Sequence, residues 1–174
     1  MAPVVDPPRP ASFHERLLYG TRERIAGTIY GTILVMAVLA AGSDSSTIDA
    51  WELDVIMVGT VGVLWIAHVY AHTLAESLSS GRPVNRKTAA GLAGREISIV
   101  LSAALPATAL LLGALGIVSD SSAVWLALGL CTFTLAVQGA RYARMAGLRT
   151  SATIVVVALN LALGLLIVLL KAAF

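Results

Sequence analysis

Apolar residues run along this chain in five long segments, each bounded by charged or glycine-rich stretches. A helix needs about 20 mostly apolar residues to cross the hydrocarbon core of a bilayer. The segments are continuously apolar instead of alternating at every second position, which favours helices over the strands of a membrane barrel. The predicted spans are Ile25–Ala41, Val55–Ala75, Ile97–Val118, Ala123–Ala140 and Thr153–Leu170.

Composition supports this pattern. The 174 residues are 57% hydrophobic and 13% charged, with a mean hydropathy of +0.85, whereas soluble domains carry about 25% charged residues. The expected fold is therefore an all-α integral membrane bundle of five transmembrane helices over residues 22–174, in a multi-pass protein of the cell membrane. Residues 1–21 are expected to form a cytoplasmic tail, in which Ser12 and Glu15 resemble a capping box for a short interfacial helix over Phe13–Tyr19.

Basic residues fall almost entirely on one side of the predicted bundle. Eleven of the twelve Lys and Arg residues lie in the N-terminal tail and in the loops after the second and fourth spans, and Lys171 is the exception. Because short cytoplasmic loops collect positive charge, we expect the N-terminus inside and the C-terminus outside. These basic residues beside the membrane account for the pI near 9.0. We therefore expect the lipid bilayer as the partner, and no nucleic-acid partner is expected.

The first two hairpins share short sequence matches. Ser43-Asp44-Ser45-Ser46 corresponds to Ser119-Asp120-Ser121-Ser122, and Trp51 corresponds to Trp125. These and the neighbouring matches fall 72 to 76 positions apart. They indicate either a parallel repeat of two spans, as in many transporters, or chance similarity between apolar segments.

Polar side chains occur in the cytoplasmic half of every predicted span. Ionisable groups inside a span usually face an interior or a water-filled path. We therefore expect a polar cup that opens to the cytoplasm and is closed on the far side by apolar packing. The cup is expected to include two histidines of the second span. Four further residues are expected to line a substrate path or to support the site: Tyr30, Ser102, Gln138 and Asn160.

His68 and His72 are four residues apart, so both rings project from one face of a helix, and Glu76 continues that face. Two imidazoles and a carboxylate suit a divalent transition metal as transported substrate, which makes these three residues the candidate metal ligands. The histidines could equally carry protons, or lie shallow enough to bond to headgroups or loops. All three interpretations stay open at this point.

Two further motifs bear on helix packing. Gly27 and Gly31 form a GxxxG pair that lets another helix approach closely, either within the chain or across the homodimer that we expect. Asn160 is predicted to form a hydrogen bond between helices. Pro106 lies in the middle of the third span, where it is expected to kink the helix.

Two stretches of the sequence resemble the vacuolar iron transporter family. The first is Arg24-Ile25-Ala26-Gly27-Thr28-Ile29-Tyr30-Gly31, and the second is Ala67-His68-Val69-Tyr70-Ala71-His72, which runs into a serine-rich turn. The resemblance implies five spans and a homodimer that moves ferrous iron or a similar divalent ion out of the cytosol against protons. Tyr30 stands where that family usually carries an Asp, and the histidines stand where it carries Met and Glu. This implies either a metal site of different selectivity or the loss of the site.

The leading functional hypothesis is thus a transporter of a divalent transition metal such as iron or manganese, with proton coupling as an option. The alternative is a non-transporting membrane scaffold whose polar cup binds a partner helix or a lipid. An enzyme is not expected, because no nucleophile, base and orienting group occur at a recognisable spacing.

Overall fold

The computed structural model describes residues 13–42 and 49–173, with side chains from residue 24 to 42 and from 49 to 172. These residues form helices and connecting turns only. The helices are α1 (Phe13–Gly42), α2 (Ala50–Ser80), α3 (Arg86–Arg95), α4 (Ile97–Leu101), α5 (Ala104–Ala114), α6 (Asp120–Met145) and α7 (Thr150–Ala173). Most of the predicted tail, residues 1–12, lies outside the described residues.

Four helices, α1, α2, α6 and α7, are long and apolar enough to cross a membrane. Each contains one predicted span, so these four predictions agree with the structure at the level of length and composition. The 31 residues of α2 extend about 46 Å at 1.5 Å per residue, which is longer than the hydrocarbon core. The interfacial helix expected over Phe13–Tyr19 is not a separate element, because α1 runs unbroken from Phe13.

The predicted third span, Ile97–Val118, contains a bend close to Pro106, where a kink was expected. Helices α4 and α5 are separated by a break, and the segment Arg86–Leu101 meets Ala104–Ala114 at 46°, so a fifth span exists only if this bent pair is counted as one. Pro106 lies in the first turn of α5 and has no N–H to donate to the Ser102 carbonyl. The Ser102 hydroxyl also donates to Ile99 O at 2.6 Å, and the backbone tightens there because Ala103 N–H bonds to Val100 O.

Because of this break, the two proposed repeats differ in structure. The first hairpin consists of two continuous helices, α1 and α2, whereas its counterpart begins with the broken α4–α5 segment and ends with the continuous α6. The repeat itself therefore stays a prediction.

The glycine pair of α1 packs inside the chain. Gly27 and Gly31 are buried, and a Cβ built on either would collide with α4: at Gly27 with the Ser98 hydroxyl, at Gly31 with the Ser102 hydroxyl. Small residues allow this close approach of two helix backbones. Of the two alternatives for these glycines, the structure shows close packing within the chain, and the homodimer stays a prediction.

Aliphatic packing fills the middle of the bundle. Helix α6 packs against α1, α5 and α7, and α2 packs against α1 and α5. The largest completely buried apolar side chains are Val35, Met36, Leu39, Leu53, Met57, Val61, Ile99, Leu110, Leu128 and Leu135. Helix α7 by contrast exposes most of its leucines, as expected for a surface that lipid covers.

Charge divides the bundle into two ends. The chain direction places the N-terminal side of α1, the α2–α3 turn and the α6–α7 turn at one end, here called the basic end. Its described basic residues are Arg24, Arg82, Arg86, Lys87, Arg95, Arg141, Arg144 and Arg149. The opposite, acidic end carries Asp49, Glu52, Asp54 and Asp120, together with Lys171, whose ammonium lies 5.7 Å from the Trp125 ring centroid. The orientation with the basic end in the cytoplasm stays a prediction.

Candidate functional site

An open cleft of about 290 Å³ lies at the basic end, where α1, α2 and the α3–α4 junction meet. We call it the histidine cleft. Ala26 and Gly27, two residues of α1 that line it, have little bulk, which leaves space between the helices there. Its lining consists of Ala26, Gly27, Tyr30, His68, His72, Leu92, Arg95, Glu96 and Ile99.

Four titratable side chains form a row along this cleft. The Tyr30 and His68 ring centroids are 5.3 Å apart, and the His68 and His72 centroids are 5.4 Å apart with the rings tilted by only 30°. His72 Nδ1 then lies 3.7 Å from Glu96 Oε1. The spacing of four residues on α2 places both imidazoles on one face, and α1 and the α3–α4 junction supply the two ends of the row.

Arg95 adds a permanent positive charge to the cleft. The sequence places it at the last residue of α3, directly before the junction at Glu96. Helix α3 is tied to α2 near this point, because the Trp65 indole N–H donates to the Ala93 carbonyl at 3.3 Å. That bond holds the Arg95 and Glu96 side of the cleft against the histidine side.

The predicted metal ligands do not come together. His68 and His72 are adjacent, but Glu76 is exposed and is absent from the cleft lining. Each step of four residues overshoots a helical turn by about 40°, so Glu76 stands about 80° around α2 from His68. Among the described residues, no three His, Cys, Asp or Glu side chains form a group that could hold a metal ion.

Three of the residues expected in the polar cup form hydrogen bonds within their own helical segments, and the shared cup stays a prediction. The Ser102 hydroxyl donates to Ile99 O, Gln138 Oε1 accepts from Arg141 at 3.3 Å, and Asn160 Nδ2 donates to Val156 O at 2.9 Å. The Asn160 bond is therefore intrahelical, where a bond between helices was expected. Tyr30 and the two histidines alone, of the predicted cup residues, line the cleft.

Sequence reasoning missed Arg95 and Glu96 as members of the site. The available signal was the position of this Arg-Glu pair, immediately before the third apolar segment. Because only a short turn separates that segment from α2, it must pack back along α2 and bring the pair close to the histidines. Asp54, directly before the predicted second span, is buried in α2, and its Oδ1 has no hydrogen-bond partner among the described residues.

The cleft ends inside the basic half of the bundle. Its deepest lining residues belong to the segments 26–30 of α1 and 68–72 of α2. Beyond them, towards the acidic end, α1 and α2 pack through Val35, Met36, Met57 and Val61, all essentially inaccessible. The arrangement is a lateral, solvent-facing recess above an aliphatic layer. No protein-family model, curated protein or solved structure matches this chain.

Proposed function

We propose that this chain is a non-transporting membrane protein whose histidine cleft binds the phosphate headgroup of an anionic phospholipid. The observation that carries the proposal is the open recess at the basic end in which Arg95 stands beside His68 and His72. Basic pockets between membrane helices are typical binding places for anionic headgroups.

The side chains of the cleft suit a phosphate. A guanidinium presents several N–H donors in a planar fork that matches two phosphate oxygens. The imidazoles and the Tyr30 hydroxyl add donors that are less strongly charged. Arg95 would therefore supply most of the attraction, while His68, His72 and Tyr30 would shape the other wall.

The surroundings of the cleft favour an anionic lipid over a neutral one. Seven other basic residues lie at the same end among the described residues, and each Lys or Arg near a membrane surface contributes about 1 kcal/mol of attraction to anionic lipids. The positive electrostatic potential of the basic end would attract anionic headgroups to the opening of the histidine cleft.

A carrier for divalent metal, the function that the resemblance implies, is the competing function. It needs a third ligand beside His68 and His72 and a path across the aliphatic layer formed by Met36, Met57 and Val61. The packing of that layer and the outward position of Glu76 weigh in favour of headgroup binding.

Native mass spectrometry of the detergent-purified protein tests the proposal, with dioleoyl phosphatidylglycerol and dioleoyl phosphatidylcholine as probes. We expect preferential binding of phosphatidylglycerol that falls about tenfold in Arg95→Gln, as for the loss of one charge-assisted hydrogen bond. Arg86→Gln is the matched control, because Arg86 lies on the same helix outside the cleft and carries the same charge. Equal losses in both variants, or no preference between the lipids, overturn the proposal.

Manganese uptake into proteoliposomes separates the two functions. We expect no uptake above that of protein-free vesicles, in the wild type and in the double variant His68→Ala/His72→Ala alike. Uptake by the wild type that the double variant loses would establish the carrier and overturn the non-transporting assignment.

A further inference from the structure

A second, larger cavity of about 640 Å³ lies at the same end of the bundle, between α1, α6 and α7. Its wall is mostly aliphatic, with Ile25 and Ile29 from α1, Met145 from α6 and Val156 from α7. We call it the apolar groove. Both recesses lie in or near the size range of cavities that hold small ligands.

The polar groups of the apolar groove do not point to an ionic ligand. Its polar lining residues are Tyr142 and Asn160, and the Asn160 amide already donates to Val156 O. Among the side chains that the structure describes, none that lines the groove is charged. A hydrocarbon chain is therefore a better match than an ion or a sugar.

The groove and the histidine cleft meet at one residue of α1. Ala26 lines both, and Gly27 beside it lines the cleft. Ala26 is exposed and carries only a methyl group, so it places little bulk between the two recesses. A ligand lying across Ala26 reaches Arg95 on one side and the aliphatic groove on the other.

The groove also runs in the direction of a lipid chain. It begins at Ala146, just beyond the last turn of α6, and reaches Asn160, which lies ten residues, or about 15 Å, along α7 from Thr150. A chain attached to a headgroup at the basic end would enter there and descend towards the middle of the bundle.

We propose that one phospholipid lies across Ala26, with its phosphate in the histidine cleft and one acyl chain in the apolar groove between α1, α6 and α7. This inference rests on the proposed headgroup function and adds the chain site to it. Inside a bilayer the chain gains no hydrophobic driving force by leaving other lipids. The groove would therefore stabilise the bound lipid through close packing of its wall against the acyl chain. Blocking the groove should weaken lipid binding and leave the charge contacts of the headgroup in place.

Filling the groove tests the inference. Val156→Trp places a large ring into it, and Val155→Trp is the matched control, because the neighbouring Val155 is exposed on α7 and absent from the groove lining. In native mass spectrometry with dioleoyl phosphatidylglycerol, we expect Val156→Trp to lower binding at least about threefold and Val155→Trp to leave it unchanged. Equal binding by the two variants, while Arg95→Gln still lowers it, overturns the chain site but keeps the headgroup site.

Photolabelling of the wild-type protein keeps the inference testable if Val156→Trp does not fold. The probe is phosphatidylglycerol with a diazirine in one acyl chain, and peptide mass spectrometry finds the labelled residues. We expect label within 142–146 of α6 and 156–160 of α7, competed by unlabelled phosphatidylglycerol. Label confined to the outer surface of α2 or α5 would overturn the chain site.

Discussion

Gly31 of α1 lies directly against the backbone of Ile99 in α4. A Cβ built on Gly31 would stand 2.8 Å from Ile99 O and 3.0 Å from Ile99 Cα. Backbone atoms cannot swing aside as a flexible side chain can, so this contact sets the distance between α1 and α4. The same two helices form part of the histidine cleft, which makes the glycine contact a determinant of the width of the cleft.

Gly31→Ala should destabilise the protein by about 2 kcal/mol, because the added methyl forces α1 and α4 apart in a close-packed region. Thermal unfolding in detergent, followed by circular dichroism, measures the effect. Gly59→Ala is the control, since Gly59 lies in α2 with nothing within 4 Å of an added Cβ and gains the same helix propensity. Equal unfolding temperatures for the two variants would contradict the contact.

Glu96→Gln should strengthen binding of anionic lipid severalfold. Glu96 is the one carboxylate that the described residues contribute to the cleft lining, and it would repel a phosphate bound near Arg95. Its contact with His72 involves a half-exposed imidazole, so the loss of that pair should cost less than about 1 kcal/mol of stability. Titration with phosphatidylglycerol by native mass spectrometry measures the binding.

Glu76→Gln makes the matched comparison for Glu96→Gln. It removes the same charge from α2, outside the cleft, and should change lipid binding by less than about twofold. If Glu76→Gln strengthened binding as much as Glu96→Gln, the effect would come from the overall charge of the basic end and not from the cleft.

Asp54→Asn should stabilise the protein by about 1 kcal/mol. The carboxylate is buried, and within residues 24–42 and 49–172 its Oδ1 has no partner; a buried acceptor without a donor costs roughly 1–3 kcal/mol. An asparagine amide can donate to the carbonyl four residues before it, as Asn160 does to Val156. Thermal unfolding measures the change.

Glu52→Gln serves as the comparison for Asp54→Asn, because Glu52 is an exposed acid two residues earlier in the same helix. Its replacement should alter stability by no more than about 0.5 kcal/mol. A loss of stability in Asp54→Asn that Glu52→Gln does not share would show that the Asp54 carboxylate has a bonding role.

The spans were predictable because apolar length alone specifies a helix that crosses a bilayer, and α1, α2, α6 and α7 meet that condition. For the third span, Pro106 predicted a kink, but the position of the break at residues 102–103 depends on local bonding. Pro106 withholds one donor, and the Ser102 hydroxyl occupies a backbone carbonyl. Hydropathy averages over such details and does not locate the break.

The candidate site was predictable only within one helix. The spacing of His68 and His72 places them together on α2, and the structure agrees. Their acidic neighbour comes from tertiary packing, since Glu96 approaches His72 from a segment 24 positions away in the sequence. Asn160 and Gln138 could not be assigned correctly, because depth in the membrane does not reveal that a side chain bonds to its own helix.

The two walls of the histidine cleft have different supports. His68 and His72 stand on the continuous α2, whereas Arg95 ends a ten-residue helix. At Glu96 the backbone stays in the right-handed helical region, and α3 continues into α4 as one segment, Arg86–Leu101. The hydrogen bond from the Trp65 indole to the Ala93 carbonyl joins this segment to α2, so the separation of Arg95 from the two histidines depends on a residue that lies outside the cleft lining.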